Sequence, residues 1–276
     1  MPGVAAYATV GVVAALVTTL TTPLIHRISV KAGFLVEPDE RNVHLEPTPS
    51  LGGVAMLCGL LAGVLTAWGI GDFSSVFAAP TEIVGLMIAS IFICIVGVVD
   101  DIRPISAPAK VAGMVVAGSV LSLTGISLLV LRIPFLDLII LSPDLSALLT
   151  VVWVFLIVNA VNLIDGLDGL AAGIVGIAAM TFFLYAIRLG DSGVLFSGNP
   201  GALIAILIVA ICAGFLPHNV HPARIFMGDG GALLLGLLLA ASTVSVGGRT
   251  DLPFSGQSFF FFAPIFIPLI VLGVPL

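Results

Sequence analysis

Asparagine and aspartate residues recur every three positions in "NAVNLIDGLDGLAAG", residues 159–173, within a chain that is only 9% charged. The four residues are Asn159, Asn162, Asp165 and Asp168. This spacing would spiral around a regular helix, and the glycine after each aspartate predicts that the helix ends and the chain turns there. Short polar side chains around such a turn can bind a hydroxylated or heterocyclic ligand. Helix capping is the alternative, but it accounts for only one or two of the four residues.

Two adjacent carboxylates end an apolar segment in "GVVDDIRPISAPAK", residues 97–110. Asp100 and Asp101 repel each other and lose hydration there, which disfavours two ionised groups unless a cation is present. A divalent metal would remove this conflict. Mg²⁺ suits the pair because it takes one or two carboxylates and keeps its other positions for water and phosphate oxygens. The alternative is that the pair only marks the membrane boundary.

A third polar stretch, "HNVHPARIFMGDGG" at residues 218–231, places Asp229 between glycines just before an apolar segment. Open backbone N–H groups in the first turn of the following helix would favour an anion. The ring of Phe226 could stack on a base, and Arg224 could contact a phosphate. The simpler interpretations are an N-cap for Asp229, interface anchoring for Phe226 and a topological signal for Arg224.

The rest of the sequence indicates an all-α polytopic membrane protein. Hydrophobic residues make up 59% of the 276 residues, and the mean hydropathy is +1.27. A crossing helix needs roughly 20 mostly apolar residues. Nine segments meet this requirement, near 4–24, 52–70, 82–99, 108–126, 145–161, 170–187, 201–217, 230–246 and 257–275. The last contains Pro264, Pro268 and Pro275, which predicts a kinked or broken helix.

Positively charged residues set the predicted orientation. When the connections between spans are numbered along the chain, the odd ones hold six Lys and Arg residues and the even ones hold three. Because cytoplasmic loops carry the excess of positive charge, the amino terminus is predicted outside and the odd connections in the cytoplasm. All three polar stretches then lie on the cytoplasmic face, which predicts one site built from several loops.

Four stretches of the chain resemble the motifs of a known family. "RNVHLEPTPSLGG", "GVVDDIRPISAPAK", "NAVNLIDGLDGLAAG" and "HPARIFMGDGGALLLG" are similar, in the same order, to those of the polyprenyl-phosphate N-acetylhexosamine-1-phosphate transferases. The first loop is most similar to the branch that uses UDP-N-acetylglucosamine, and the phospho-N-acetylmuramoyl-pentapeptide transferases are the second candidate. The resemblance implies a single integral-membrane catalytic domain, residues 1–276, in a bacterial plasma membrane.

The resemblance also implies an activity. The family transfers a sugar 1-phosphate from a UDP-sugar to a polyprenyl phosphate and releases UMP, with Mg²⁺ as cofactor and Mn²⁺ as a substitute. The implied partners are a UDP-N-acetylhexosamine, the carrier lipid and the membrane; no nucleic acid is expected, and small-residue helix faces permit a homodimer. The product would enter cell-envelope glycan synthesis. We expect the lipid phosphate to attack directly, and a two-step route through a covalent sugar phosphate is the alternative.

Individual roles follow from the resemblance, residue by residue. The catalytic residues would be Asp100, Asp101 and Asp229, with the metal on Asp229 and Asp101. The substrate-binding residues would be Asn162, Asp165, Asp168, Asn219, Phe226, Lys110, Arg224 and His44. Among these, Asp168, Asn219 and Phe226 fall where the family holds the uridine, and Lys110 falls at a position suited to a phosphate.

Two departures and three rival functions accompany this interpretation. A D-D-x-x-D motif is absent because Pro104 occupies its last position. Family members continue into a His-rich loop and further helices, so the chain is expected to be C-terminally incomplete.

A secondary transporter would also contain acids within spans, but here the acids gather at one face. An intramembrane prenyltransferase would need an N-D-x-x-D spacing that the glycines interrupt, and a purely structural protein would use the polar turns only as caps.

Overall fold

The computed structural model describes residues 2–36, 47–132, 138–196 and 198–247. This part of the chain is helical apart from short turns and two small hairpins. Its helices are α1 (Val4–Ala32), α2 (Gly52–Gly69), α3 (Ser74–Phe77), α4 (Pro80–Ile102), α5 (Ala107–Leu123), α6 (Pro143–Ile164), α7 (Leu170–Asp191), α8 (Gly201–Asn219) and α9 (Gly228–Gly247). A 3₁₀ turn at Gly71–Phe73 precedes α3.

Eight of the nine predicted spans correspond to helices in the described residues. Seven helices are long and apolar enough to cross a membrane, and α5 is a shorter apolar helix of 17 residues. The ninth predicted span, residues 257–275, lies outside the described residues. The chain is therefore a multi-pass helical membrane protein.

Helix α9 forms the centre of the bundle. Every residue from Gly230 to Val246 is buried, whereas α1 is exposed along most of its length. Helices α2, α4, α6 and α8 pack around α9, and α1 packs on the outside against α2 and α8. The indole N–H of Trp153 in α6 donates to Thr243 Oγ1 in α9 at 2.8 Å, which adds a polar contact to this apolar packing.

Two glycines allow the start of α9 to approach its neighbours closely. A Cβ atom added to Gly97 of α4 would lie 2.4 Å from the backbone nitrogen of Gly230, and one added to Gly53 of α2 would lie 2.2 Å from that of Gly231. Contacts this short cannot accommodate even a methyl group. The glycines beside the acidic motifs therefore serve helix packing, since they bring the ends of α2 and α4 onto the first turn of α9.

Helix α1 contains a proline whose effect on hydrogen bonding is compensated by another helix. Pro23 has no N–H, so the carbonyl of Thr19 loses its usual partner four residues later. His218 Nε2 of α8 lies 3.2 Å from this carbonyl oxygen and supplies the missing donor. The Thr19 hydroxyl also donates to the Gly214 carbonyl of α8 at 3.0 Å. Polar contacts thus fix α1 against α8.

Two short antiparallel hairpins were not predicted from the sequence. Strand β1 (Leu35–Val36) pairs with β2 (Thr48–Pro49), and β3 (Val130–Arg132) pairs with β4 (Leu138–Ile140). Strands of two or three residues are too short to show an alternating pattern, which explains why sequence periodicity missed them. The first hairpin matters for the site, because the Pro49 carbonyl accepts the N–H of Phe226 at 2.8 Å.

Candidate active site

Four polar side chains converge at one end of the bundle, around Asp229 in the first turn of α9. Lys110 Nζ in α5 lies 2.6 Å from Asp229 Oδ2 and 2.9 Å from Asp100 Oδ2 at the end of α4. Asn162 Nδ2 near the end of α6 donates to Asp229 Oδ1 at 2.5 Å. The N–H of Ile105 donates to Asp100 Oδ1 at 2.8 Å, which fixes that carboxylate. Residues from three of the polar stretches found in the sequence therefore share one cluster.

Asp101 has a different position from its neighbour Asp100. Its two carboxylate oxygens accept the backbone N–H groups of Asp229 and Gly230, at 2.9 and 3.2 Å. The open helix terminus was expected to attract a ligand anion, but among the described residues it already binds this carboxylate. The carboxylate thus satisfies two backbone N–H groups that have no partner within the first turn of a helix. The metal-binding role of Asp101 stays a prediction, and its observed contact is that of a helix cap.

Asp165 lies beside the same cluster. It is the first residue after α6, which ends at Ile164. Its carboxylate makes no hydrogen bond to any described residue. Burial raises the pKa of Asp165 to about 7, and the negative charges of Asp229 and Asp101 add to the effect. A cation bound at Asp229 would favour the ionised form of Asp165.

Asp168 and Asn219 hold the α6–α7 turn against the segment between α8 and α9. Asp168 Oδ2 lies 2.9 Å from His221 Nδ1 and accepts the N–H of Ala223 at 3.1 Å. Buried Asn219 accepts the N–H of Gly169 through Oδ1 and donates to the Ile225 carbonyl through Nδ2, both at 3.0 Å. Gly169 adopts a left-handed φ of 71°, which confirms the predicted turn. The role of both side chains in uridine binding stays a prediction.

The segment between α8 and α9 carries two further predicted residues, which face different regions. Phe226 is half-buried. Its backbone N–H donates to the carbonyl of Pro49 in β2, and its carbonyl accepts the N–H of Gly52 in α2 at 3.0 Å. Arg224 is exposed and lines a cleft of about 800 Å³ between α1, β2 and this segment, so it does not join Lys110 at Asp229. His44 lies outside the described residues.

Sequence reasoning placed His221 near the site but gave it no role. The structure pairs it with Asp168, whose side chain is only 8% exposed. Histidines recur in the odd-numbered connections, yet no spacing in the sequence indicates which of them meets an acid from another connection. The pairing depends on how the two loops fold together, and local sequence does not encode that.

The oxygen ligands near Asp229 fit a magnesium ion. Mg²⁺ is held by one or two carboxylates and completes its shell with water and phosphate oxygens. The carboxylates of Asp229 and Asp100, which contact the same Lys110 ammonium group, offer such hard oxygen ligands, and Asn162 holds one oxygen of Asp229 in place. Among the described residues, no three His, Cys, Asp or Glu side chains form a closed metal cage. Mg²⁺ that keeps several non-protein ligands does not require one.

Fold and site together define a multi-pass membrane protein with a carboxylate and lysine cluster at one end of its helices. The sequence model of glycosyl transferase family 4 matches residues 83–247, from the first turn of α4 to the end of α9. The chain belongs to this family, as its motifs indicated.

Curated relatives agree with this assignment. The chain is 37% identical to the decaprenyl-phosphate N-acetylglucosaminephosphotransferase of Mycobacterium leprae, over 98% of this chain and 69% of the relative. It is 34% identical to the probable undecaprenyl-phosphate N-acetylglucosaminyl 1-phosphate transferase of Bacillus subtilis, over 96% of this chain and 67% of the relative. It is also 34% identical to the phospho-N-acetylmuramoyl-pentapeptide-transferase of Moorella thermoacetica, over 87% of this chain and 75% of the relative. The chain thus spans about two thirds of the length of the first two relatives.

Proposed function

We propose that the protein transfers N-acetylglucosamine 1-phosphate from UDP-N-acetylglucosamine to a polyprenyl phosphate and releases UMP. The observation that carries the proposal is the alignment of 96–98% of the chain with relatives named for N-acetylglucosamine phosphate transfer to decaprenyl or undecaprenyl phosphate. The alignment with the pentapeptide transferase covers less of the chain, 87%. The cluster around Asp229 supplies the charges that a reaction between phosphates requires.

The reaction joins two anions, so positioning and charge neutralisation are the main requirements. An oxygen of the lipid phosphate attacks the phosphorus that bears the sugar, and the bond from this phosphorus to the bridging oxygen breaks. UMP leaves with the bridging oxygen and the electron pair. A phosphate monoester is largely a dianion at pH 7, so the attacking oxygen needs little help in losing a proton.

The residues around Asp229 would share these tasks. Asp229, with Asn162 and Asp100 beside it, would hold Mg²⁺, which when bound neutralises charge on the diphosphate. Lys110 would place a second positive charge beside the reacting phosphates. Asp100, held by the N–H of Ile105, would orient Lys110 and accept any residual proton of the lipid phosphate. Asp165, Asp168 and Phe226 would face the nucleotide.

A UMP-release assay tests the proposal directly. Purified protein is incubated with decaprenyl or undecaprenyl phosphate, Mg²⁺ and either UDP-N-acetylglucosamine or UDP-N-acetylmuramoyl-pentapeptide. We expect UMP and a lipid-linked sugar diphosphate only with UDP-N-acetylglucosamine, and none after chelation of the metal. Product from the pentapeptide substrate alone would assign the chain to the other branch. Isolation of a sugar phosphate bound covalently to Asp100 or Asp229 would replace direct attack by a two-step route.

The predicted setting of the reaction is the cytoplasmic face of the bacterial plasma membrane, where nucleotide sugars are available. The positive-inside distribution of Lys and Arg supports this orientation. Small residues on a helix face were expected to permit a homodimer, but Gly59 of α2 packs against α1 of the same chain. A Cβ added to Gly59 would lie 1.9 Å from Thr18 Oγ1 of α1. A homodimer would therefore need another face.

A further inference from the structure

The ammonium group of Lys110 lies between two acidic side chains of the candidate active site. It is 2.6 Å from Asp229 Oδ2 and 2.9 Å from Asp100 Oδ2. The other oxygen of Asp229 accepts the amide N–H of Asn162. Both oxygens of the Asp229 carboxylate are therefore bound by groups of the chain itself.

A divalent cation on the Asp229 carboxylate would lie close to the ammonium group of Lys110. Mg²⁺ binds a carboxylate oxygen at about 2.0–2.1 Å and approaches it along a lone pair. Lys110 Nζ lies 2.6 Å from Asp229 Oδ2, and a metal ion bound to the same oxygen would be repelled by the ammonium charge so close to it.

We propose that Lys110 acts as an internal counter-cation that competes with the divalent metal for the Asp229 carboxylate. Binding of the metal displaces the ammonium group from Asp229 and makes it available to a substrate phosphate. The competition follows from the contacts described here, and only the transfer of Lys110 to a phosphate rests on the proposed function.

The surroundings of Lys110 allow its head group to move while its backbone stays in place. Its N–H donates to the Ser106 carbonyl at 3.1 Å in the first turn of α5. The side chain is a flexible four-carbon stem that ends in three rotatable donors. Asp100 remains as a second anchor, because its own carboxylate is fixed by Ile105. Loss of the Asp229 contact therefore leaves Lys110 within the site.

The ammonium group of Lys110 also offsets negative charge within the cluster. Asp100 and Asp229 contact the same ammonium group, at 2.9 and 2.6 Å. Like charges at this separation repel one another unless a cation lies between them. Lys110 therefore holds the carboxylates of Asp100 and Asp229 close to each other.

Metal binding to the Lys110→Gln variant tests the competition. Mn²⁺ binding to purified full-length protein in detergent is measured from the free Mn²⁺ signal in electron paramagnetic resonance, without substrate. We expect Lys110→Gln to bind Mn²⁺ about tenfold more tightly than the wild type, because a competing positive charge has gone. Lys31→Gln is the matched control, since exposed Lys31 at the end of α1 carries the same charge away from the site. Its affinity should equal that of the wild type.

A second measurement covers any loss of stability in the variant. The increase in melting temperature on addition of Mg²⁺ should be larger for Lys110→Gln than for the wild type, because a tighter ligand stabilises more. Equal or weaker Mn²⁺ affinity in folded Lys110→Gln, or an equal Mg²⁺ shift, would overturn the proposal. Wild-type UMP release together with that result would leave the proposed function standing. Tighter Mn²⁺ binding in the variant without any UMP release from the wild type would support the competition and contradict the proposed function.

Discussion

Asp101 and Asp229 are both aspartates of the acidic motifs, yet the structure gives them different contacts. The side chain of Asp229 meets Lys110 and Asn162, whereas that of Asp101 accepts two backbone N–H groups of α9. Asp229 is thus bound by side chains of the candidate active site, whereas Asp101 caps a helix terminus. Substitution by asparagine, which keeps the shape and removes the charge, separates these two functions.

We expect Asp229→Asn to abolish UMP release while its melting temperature stays close to that of the wild type. Asp101→Asn should lower the melting temperature by a few degrees, because the asparagine amide has one acceptor oxygen for two N–H groups and a helix cap contributes about 1 kcal/mol. Thermal unfolding in detergent, measured beside the transfer assay, gives both quantities. Asp191→Asn, at the exposed end of α7, is the control and should change neither. Full activity in Asp229→Asn would show that Asp229 does not hold the metal.

Helix α9 depends on glycines of neighbouring helices for its position. The first turn of α9 rests on Gly97 of α4 and Gly53 of α2, and it carries Asp229 into the cluster. Any side chain at these positions must push α9 away from its neighbours. Since a shift of about 1 Å in an active site can reduce a rate by two orders of magnitude, packing and activity are coupled here.

Gly97→Ala should therefore destabilise the protein by about 1–3 kcal/mol and reduce UMP release at least tenfold. The control is Gly173→Ala in α7, where an added Cβ meets no atom within 4 Å. Alanine is the better helix former, so this control should be as stable as the wild type or more stable. Melting temperatures and rates from the two variants give the comparison. Equal melting temperatures and rates in Gly97→Ala and Gly173→Ala would mean that a shift of α9 does not affect stability or activity.

The whole molecule presents its polar stretches at one end of the bundle, as the sequence predicted. Spans and turns could be predicted because runs of apolar residues and glycines after aspartates are local signals. The grouping of the acids on one face followed from counting helices. The capping contact of Asp101 and the Asp168–His221 pair could not be predicted, because both join residues more than 50 positions apart. Whether an aspartate binds a ligand or a backbone N–H depends on distances that only the packed helices set.

Cysteine labelling tests the predicted orientation of the molecule. Single cysteines are introduced at exposed Ser192, after α7, and at exposed Leu167, before α7, in a variant without the native cysteines. A membrane-impermeant maleimide added to intact cells should label Ser192→Cys and leave Leu167→Cys unlabelled. Leu167→Cys should react once the membrane is permeabilised. The opposite pattern would place the acidic cluster outside the cell.

The burial of α9 keeps the helix that carries Asp229 away from the periphery of the bundle. From Gly230 to Val246 this helix is buried against other helices, whereas α1 at the periphery would meet the acyl chains. A thinner or more fluid bilayer should therefore tilt the outer helices before it disturbs the geometry around Asp229. The protein is thus expected to keep its chemistry constant as a cell remodels its membrane with temperature or growth.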